Sequence, residues 1–250
     1  GFDVYIFSHR GCADARRPNG PCIIDFDSIV RHDVPAALAM VKAISGAERV
    51  HWVGHGLGGQ CLVGHIASDG EEDIAAGVLM STPVRFKSLK TTARRVAAVA
   101  RHLPADWQIP NRMIQEILTV ASRQSDLSRL TRRMEGPMAR AMLTEATADL
   151  PLGLIQQVAQ WHSTGQLTDR GNRFDYLEGL SGRRSRILVM ASPDDALCSL
   201  DAARPVFEKL APGAGEWLTL APGWGHLALL AGADAARVVF PPLTDWLEEQ

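Results

Sequence analysis

"VHWVGHGLGG", from Val50 to Gly59, is the stretch that decides how this chain is read. Val50 to Val53 are a short apolar run, and the glycines after them suit a sharp turn into a helix. Two motifs sit on such turns. Gly-x-Ser-x-Gly presents a nucleophilic serine between a strand and a helix, and it matches Gly54 to Gly58 except at the centre, where Gly56 stands. Gly-x-Gly-x-x-Gly cradles a dinucleotide, and Gly54, Gly56 and Gly59 match it in full.

Outward from this stretch, apolar runs alternate with helical spacing. Val4 to Ser8, Val50 to Gly54, Gly77 to Ser81, Ile187 to Ala191 and Trp217 to Ala221 read as strands. Ser28 to Ser45 has helical spacing, with Ile29, Val34, Leu38, Val41 and Ile44 near one face. Gly58 to Ala67 and Val238 to Glu249 are further helices. Continuous apolar strands between helices predict an α/β fold, a mostly parallel sheet covered on both faces. Sites in such sheets lie beyond the C-terminal ends of the strands.

The stretch 84–175 breaks the rhythm. It contains no convincing strand and reads as helices broken at Pro104, Pro110, Pro137 and Pro151, a cap or lid inserted between core parts 1–83 and 176–250. It holds fourteen Lys/Arg against eight Asp/Glu, a net of +6 within a chain of net −2. Solvated helix faces account for such a bias, and a basic lid drawing an acidic substrate or lipid surface is the functional alternative.

The 250 residues carry 46% hydrophobic and 22% charged side chains, a globular balance whose total charge does not suggest nucleic-acid binding. No run approaches the ~18 apolar residues of a membrane span. Cys12, Cys22, Cys61 and Cys198 include no C-x-x-C pair, which argues against a zinc site or a disulfide framework. The opening "GFDVYIFSHRG" starts inside a strand pattern and reads as a chain lacking its original N-terminus. A cytoplasmic protein is the default expectation, with an upstream signal left open.

The dinucleotide reading needs an acidic residue at the end of the next strand, and "GVLMSTP" ends without one, while Asp73 precedes that strand. The nucleophile reading gains from residues farther along the chain. "SPDDAL" places Asp194 and Asp195 just past one strand, and "PGWGHLALL" places His226 just past the last. An acid that orients an imidazole, after a nucleophile and in that chain order, is the arrangement that acyl transfer needs.

With these residues the chain resembles the α/β-hydrolases, closest to the lipase, esterase and polyhydroxyalkanoate-synthase branch. "FSHRG" is similar to a strand-end S/N-x-R-G of those relatives, and the stretch from Gly225 to Leu247 is similar to their histidine-bearing C-terminal part. The resemblance implies Asp195 as the acid, since "DAL" fits Asp-x-Leu/Val, with Asp194 as runner-up. It implies His226 as the base and the backbone N–H of Leu57 as an oxyanion donor. It places the family's earlier strands, and the loop giving the second oxyanion donor, upstream of Gly1.

Gly56 departs from the family, because glycine cannot form an acyl-enzyme. It keeps the turn, whose backbone is strained for other residues, and removes the hydroxyl. Cys61 lies five positions along the helix and reads as a small packing group. His51 and His55 form a weak metal pair without a nearby carboxylate. The expected function is therefore that of an esterase or lipase acting on a small acyl or lipid-like substrate, without cofactor, with the nucleophile position empty or hydrolysis redirected to a water activated by His226 and Asp195. A non-catalytic ligand-binding pseudoenzyme is the alternative, and a polyester-synthase-like acyltransferase the weaker one.

Overall fold

In a computed structural model, residues 1–12, 15, 20, 22–88, 97–113, 129–144 and 148–250 are described. The first helical stretch starts at a capping box: Asp25 Oδ1 accepts from the Ser28 amide at 2.9 Å, and the Ser28 hydroxyl accepts from the Asp25 amide at 3.0 Å. It passes through a π turn at Ile29–Asp33, just ahead of Pro35, whose ring supplies no N–H. It continues as α1, Val34–Ser45, which ends where Gly46 turns left-handed at φ +74°. Ile29, Val34 and Leu38 are buried as the spacing predicts, but Ile44 is exposed.

Strand β1, Val50–His55, leads into α2, Leu57–Ala67, and β2 follows at Ile74–Met80. Among the described residues, two more parallel strands complete the sheet, β5 at Arg186–Ala191 and β6 at Gly215–Thr219, in the order β1-β2-β5-β6. Helix α5, Leu200–Lys209, lies between β5 and β6, and α6, Phe240–Glu248, follows β6. Alternation along β2 and β5 splits the core. Leu79, Ile187 and Val189 face a cluster with α1 and α2, while Val78, Met80, Leu188 and Met190 face one with Trp224, Leu243 and Trp246.

Two expectations need correction. The segment from Gly1 to His9 is not a strand: Val4 is 81% and Ile6 94% exposed, and its contacts with β1 are ring edges, Phe2 on His51 and Phe7 on Trp52. An apolar pattern becomes a strand only where a neighbour completes its ladder, and no described strand pairs with it. Nor is 84–175 free of strands. Gln108–Ile109, β3, pairs antiparallel with Leu150–Pro151, β4, too short to leave a periodic signal. Helices α3, Gly136–Thr144, and α4, Leu152–Thr164, belong to the same stretch. The remaining helical expectation there, at 89–96, 114–128 and 145–147, lies outside the described residues. Among the described residues, no helix is long and apolar enough to cross a membrane.

Candidate active site

The turn between β1 and α2 is built of glycine for two separate reasons. The first is close approach. A Cβ on Gly54 would sit 2.5 Å from the backbone of Gly58 and Gly59, and one on Gly59 would overlap the Thr82 side chain. The second is conformation: Gly56 has φ +52° and ψ −113°, in the region that side chains avoid. The Gly56 amide donates to the Met80 carbonyl at 3.1 Å, and its own carbonyl accepts from the Gln60 amide at 3.0 Å, so the turn is tied to β2 and to α2. Among the described residues, its chain neighbours aside, a Cβ on Gly56 would meet only the His226 ring within 4 Å, at 3.4 Å from Nε2 and 3.7 Å from Cε1.

Beyond β5, the next loop carries the acid. Asp195 Oδ1 accepts from the amides of Leu197 at 2.8 Å and Cys198 at 2.9 Å. Its Oδ2 accepts from His226 Nδ1 at 2.9 Å, and the carboxylate side chain is fully buried. Burial pushes this carboxyl up. The hydrogen bond and charge of His226, helped by Ser81 and the Cys198 amide, outweigh it and hold the group below its ordinary value. Asp194 turns the other way, accepting from the Gly223 amide at 2.6 Å and pairing with Arg132 at 3.3 Å. Of the two aspartates in "SPDDAL", it is Asp195 that reaches the imidazole.

His226 lies past β6, on a loop held from both sides. On the inner side, the Ser192 hydroxyl donates to the Trp224 carbonyl at 2.9 Å. On the outer side, the segment from Arg129 to Met134 lies across it. The amides of Gly225, Leu227 and Ala233 donate to the carbonyls of Arg132, Leu130 and Arg133 at 3.2, 2.9 and 3.0 Å. Arg133 stacks over Trp224 at 4.9 Å and donates to the Pro222 carbonyl at 3.1 Å. His55 supports the same loop, its Nε2–H donating to the His226 carbonyl at 3.0 Å with the two rings 4.3 Å apart. Burial, then the charge of His226, pushes the His55 imidazole down to about 4, so it is neutral near pH 7.

These placements sort the remaining sequence candidates. Gly56, Leu57, Asp195 and His226 gather at the C-terminal edge of the sheet. His51 is exposed against Phe2, four strand residues or about 13 Å of chain from His55, whose ring nitrogen is engaged by His226. Cys61 is buried, and burial followed by the Asp33 charge pushes its thiol up to about 12. Asp73 pairs with Lys42 and His65 at the opposite end of β2. Three contacts of the site escaped sequence reasoning: the His55 support, the Arg129–Met134 strap, and Ser81. Ser81 is fully buried at the end of β2, with φ +45° and its side chain against the Asp195 carboxylate. Only a buried serine at a strand end hinted at the last.

A family profile described as the alpha/beta hydrolase family matches residues 1–239. The chain belongs to the alpha/beta hydrolase family. No curated protein matches this chain in sequence. Among solved structures, the monoacylglycerol lipase of Paleococcus ferrophilus superposes with a TM-score of 0.69 at 12% identity, over 98% of this chain and 83% of that one. A soluble variant of the monoglyceride lipase of Saccharomyces cerevisiae gives 0.65 at 16% identity, over 96% and 75%. A bromoperoxidase from Bacillus anthracis gives 0.62 at 13% identity, over 96% and 79%. At such identities the likeness speaks for the shared fold alone.

Proposed function

We propose that this α/β-hydrolase carries an ester-hydrolysing pocket, for a carboxylic ester or lipid-like acyl substrate, in which glycine occupies the nucleophile position. The observation that carries the reading is the space at Gly56: a side chain there would point at His226 Nε2 and, its chain neighbours aside, meet nothing else within 4 Å among the described residues. Asp195 accepts from Nδ1, which leaves Nε2 as the basic nitrogen facing that space. Leu57 offers the first backbone N–H of α2 to a developing oxyanion. The stretch 84–175 acts as the cap, with Arg129–Met134 seated on the histidine loop.

With glycine in place, the base acts on water. His226 Nε2 takes a proton, hydroxide adds to the ester carbonyl, and the oxyanion accepts from Leu57 N–H. Collapse then expels the alkoxide, which recovers the proton from the imidazolium. This route forgoes the acyl-enzyme, and in a serine protease the loss of that nucleophile costs about 10⁶ in turnover. The same weakness favours a second reading, a pocket that binds acyl ligands without turning them over.

Gly56→Ser separates the two. A hydroxyl one bond beyond Cβ falls within reach of Nε2, so hydrolysis of short p-nitrophenyl esters should rise by several orders of magnitude, up to about 10⁶. Serine at position 56 with no gain in turnover, tested in the longest natural form of the chain, leaves the binding reading in its place.

A further inference from the structure

We infer that the space beside Gly56 is a binding site for a small carboxylate anion, taken up together with one proton. Three features of the chain meet there. Gly56 leaves space at its missing Cβ: among the described residues, its chain neighbours aside, the His226 ring alone comes within 4 Å. His226 is 8% exposed and aims Nε2 into that room, and Nε2 has no hydrogen-bond partner among the described residues. Helix α2, eleven residues long, begins at the same point, and the amides of Leu57 and Gly58 have no acceptor among the described residues. A helix N-terminus favours an anion, and a carboxylate has two oxygens to divide between amides and imidazole.

The proton follows from the hydrogen bond on the far side of the ring. Asp195 is ionised and accepts from Nδ1, so neutral His226 keeps its proton on Nδ1 and presents a bare lone pair at Nε2. A lone pair repels a carboxylate oxygen. Protonation of Nε2 turns it into a donor and makes a chain of alternating charge, from the Asp195 carboxylate through the imidazolium to the bound carboxylate. Among the described residues, the charged and titratable neighbours of the ring are Asp195, which accepts from Nδ1, and His55, which is neutral near pH 7 and spends its N–H on the His226 carbonyl. A serine at position 56 would fill this room, so carboxylate binding is a property the glycine creates.

The inference uses the placement of His226 and Leu57 on which the hydrolase reading rests, but it does not need turnover. The test is titration of the protein with sodium acetate, followed through the ring resonances of His226 and by calorimetry. Acetate should bind with millimolar affinity, the scale open to a ligand of four heavy atoms. Affinity should rise as pH is lowered, by up to about tenfold per unit, the limit for uptake of one proton. Met40→Ala, at an exposed side chain of α1, should bind as the parent does. Gly56→Ala places a methyl 3.4 Å from Nε2 and should weaken binding at least tenfold, and His226→Phe should do the same if the alanine variant does not fold. Absent perturbation of His226, affinity independent of pH, or undiminished binding in both variants would each overturn the inference. Acetate binding by a protein whose Gly56→Ser form hydrolyses nothing would sink the hydrolase reading alone. An active Gly56→Ser form made from a parent blind to acetate would sink this inference alone.

Discussion

His226 Nδ1 donates to Asp195 Oδ2 across 2.9 Å, between residues thirty-one positions apart that reach each other from the ends of β6 and β5. That bond sets the tautomer of the imidazole and hence which nitrogen faces Gly56. The measurable properties of the site depend on how firmly this pair and the glycine turn beside it are held.

Asp195→Asn should cost about 1–3 kcal/mol at neutral pH, because a buried charge-assisted bond is replaced by a neutral one. The carboxyl is held below its ordinary value, so its contribution is present above the unfolded carboxylate range and disappears as pH falls through the folded value. Urea unfolding of parent and variant should therefore differ near pH 7 and converge as pH falls below the ordinary carboxylate range. A difference that stays constant into acid would contradict the pairing.

His55 works in the same direction for a different reason. Burial holds it at about 4, against 6.5 for a free imidazole, so the folded state resists its protonation. Its stabilising effect is intact above about pH 6.5 and is lost progressively down to about pH 4, by up to ~3 kcal/mol. His55→Gln, which keeps a donor for the His226 carbonyl, should flatten the fall in melting temperature across that window. An unchanged slope would mean that other groups drive the acid sensitivity.

The two neighbouring glycines of α2 should respond oppositely to alanine. Gly59→Ala drives a methyl into Thr82 and should destabilise by about 1–3 kcal/mol. Gly58→Ala enters open space on a helix and should be neutral or gain up to ~1 kcal/mol. Thermal unfolding of the pair decides whether packing or chance placed the second glycine.

Gly56→Ser should lose about 1–2 kcal/mol, since φ +52° disfavours any side chain. Stability equal to the parent would mean that the turn relaxes on substitution, and then the hydroxyl would not be held against His226.

Gly225→Ala should pry the Arg129–Met134 strap from the histidine loop, because a Cβ there overlaps the Arg129 carbonyl and comes within 2.7 Å of that of Leu130. Amide exchange at Leu227, protected in the parent by its bond to Leu130, should accelerate at least tenfold. Unchanged protection would show that the loop holds itself without the strap.

Much of this was legible from local pattern. The parallel sheet followed from continuous apolar strands alternating with helices, because strands buried on both faces need no polar alternation. The order of Gly56, Asp195 and His226, each just past a strand, placed them at one edge, since parallel strands all end on the same side. What local pattern misjudged was pairing. Gly1–His9 has strand composition without a described ladder partner, and β3 and β4 are a ladder with almost no composition to announce it.

The sequence by itself determined that a glycine turn, an aspartate and a histidine would meet at the C-terminal edge of a parallel sheet, because hydrophobic period and chain order are written residue by residue. Only the tertiary structure decided that Asp195 rather than Asp194 reaches His226, that Gly54 and Gly59 are glycines because backbone and Thr82 press against them, and that His55 and the Arg129–Met134 strap hold the histidine loop. These depend on the direction of side chains and on contacts between segments up to 171 residues apart. No local period encodes such distances; they exist once the core has closed and the loops have been forced to share its edge.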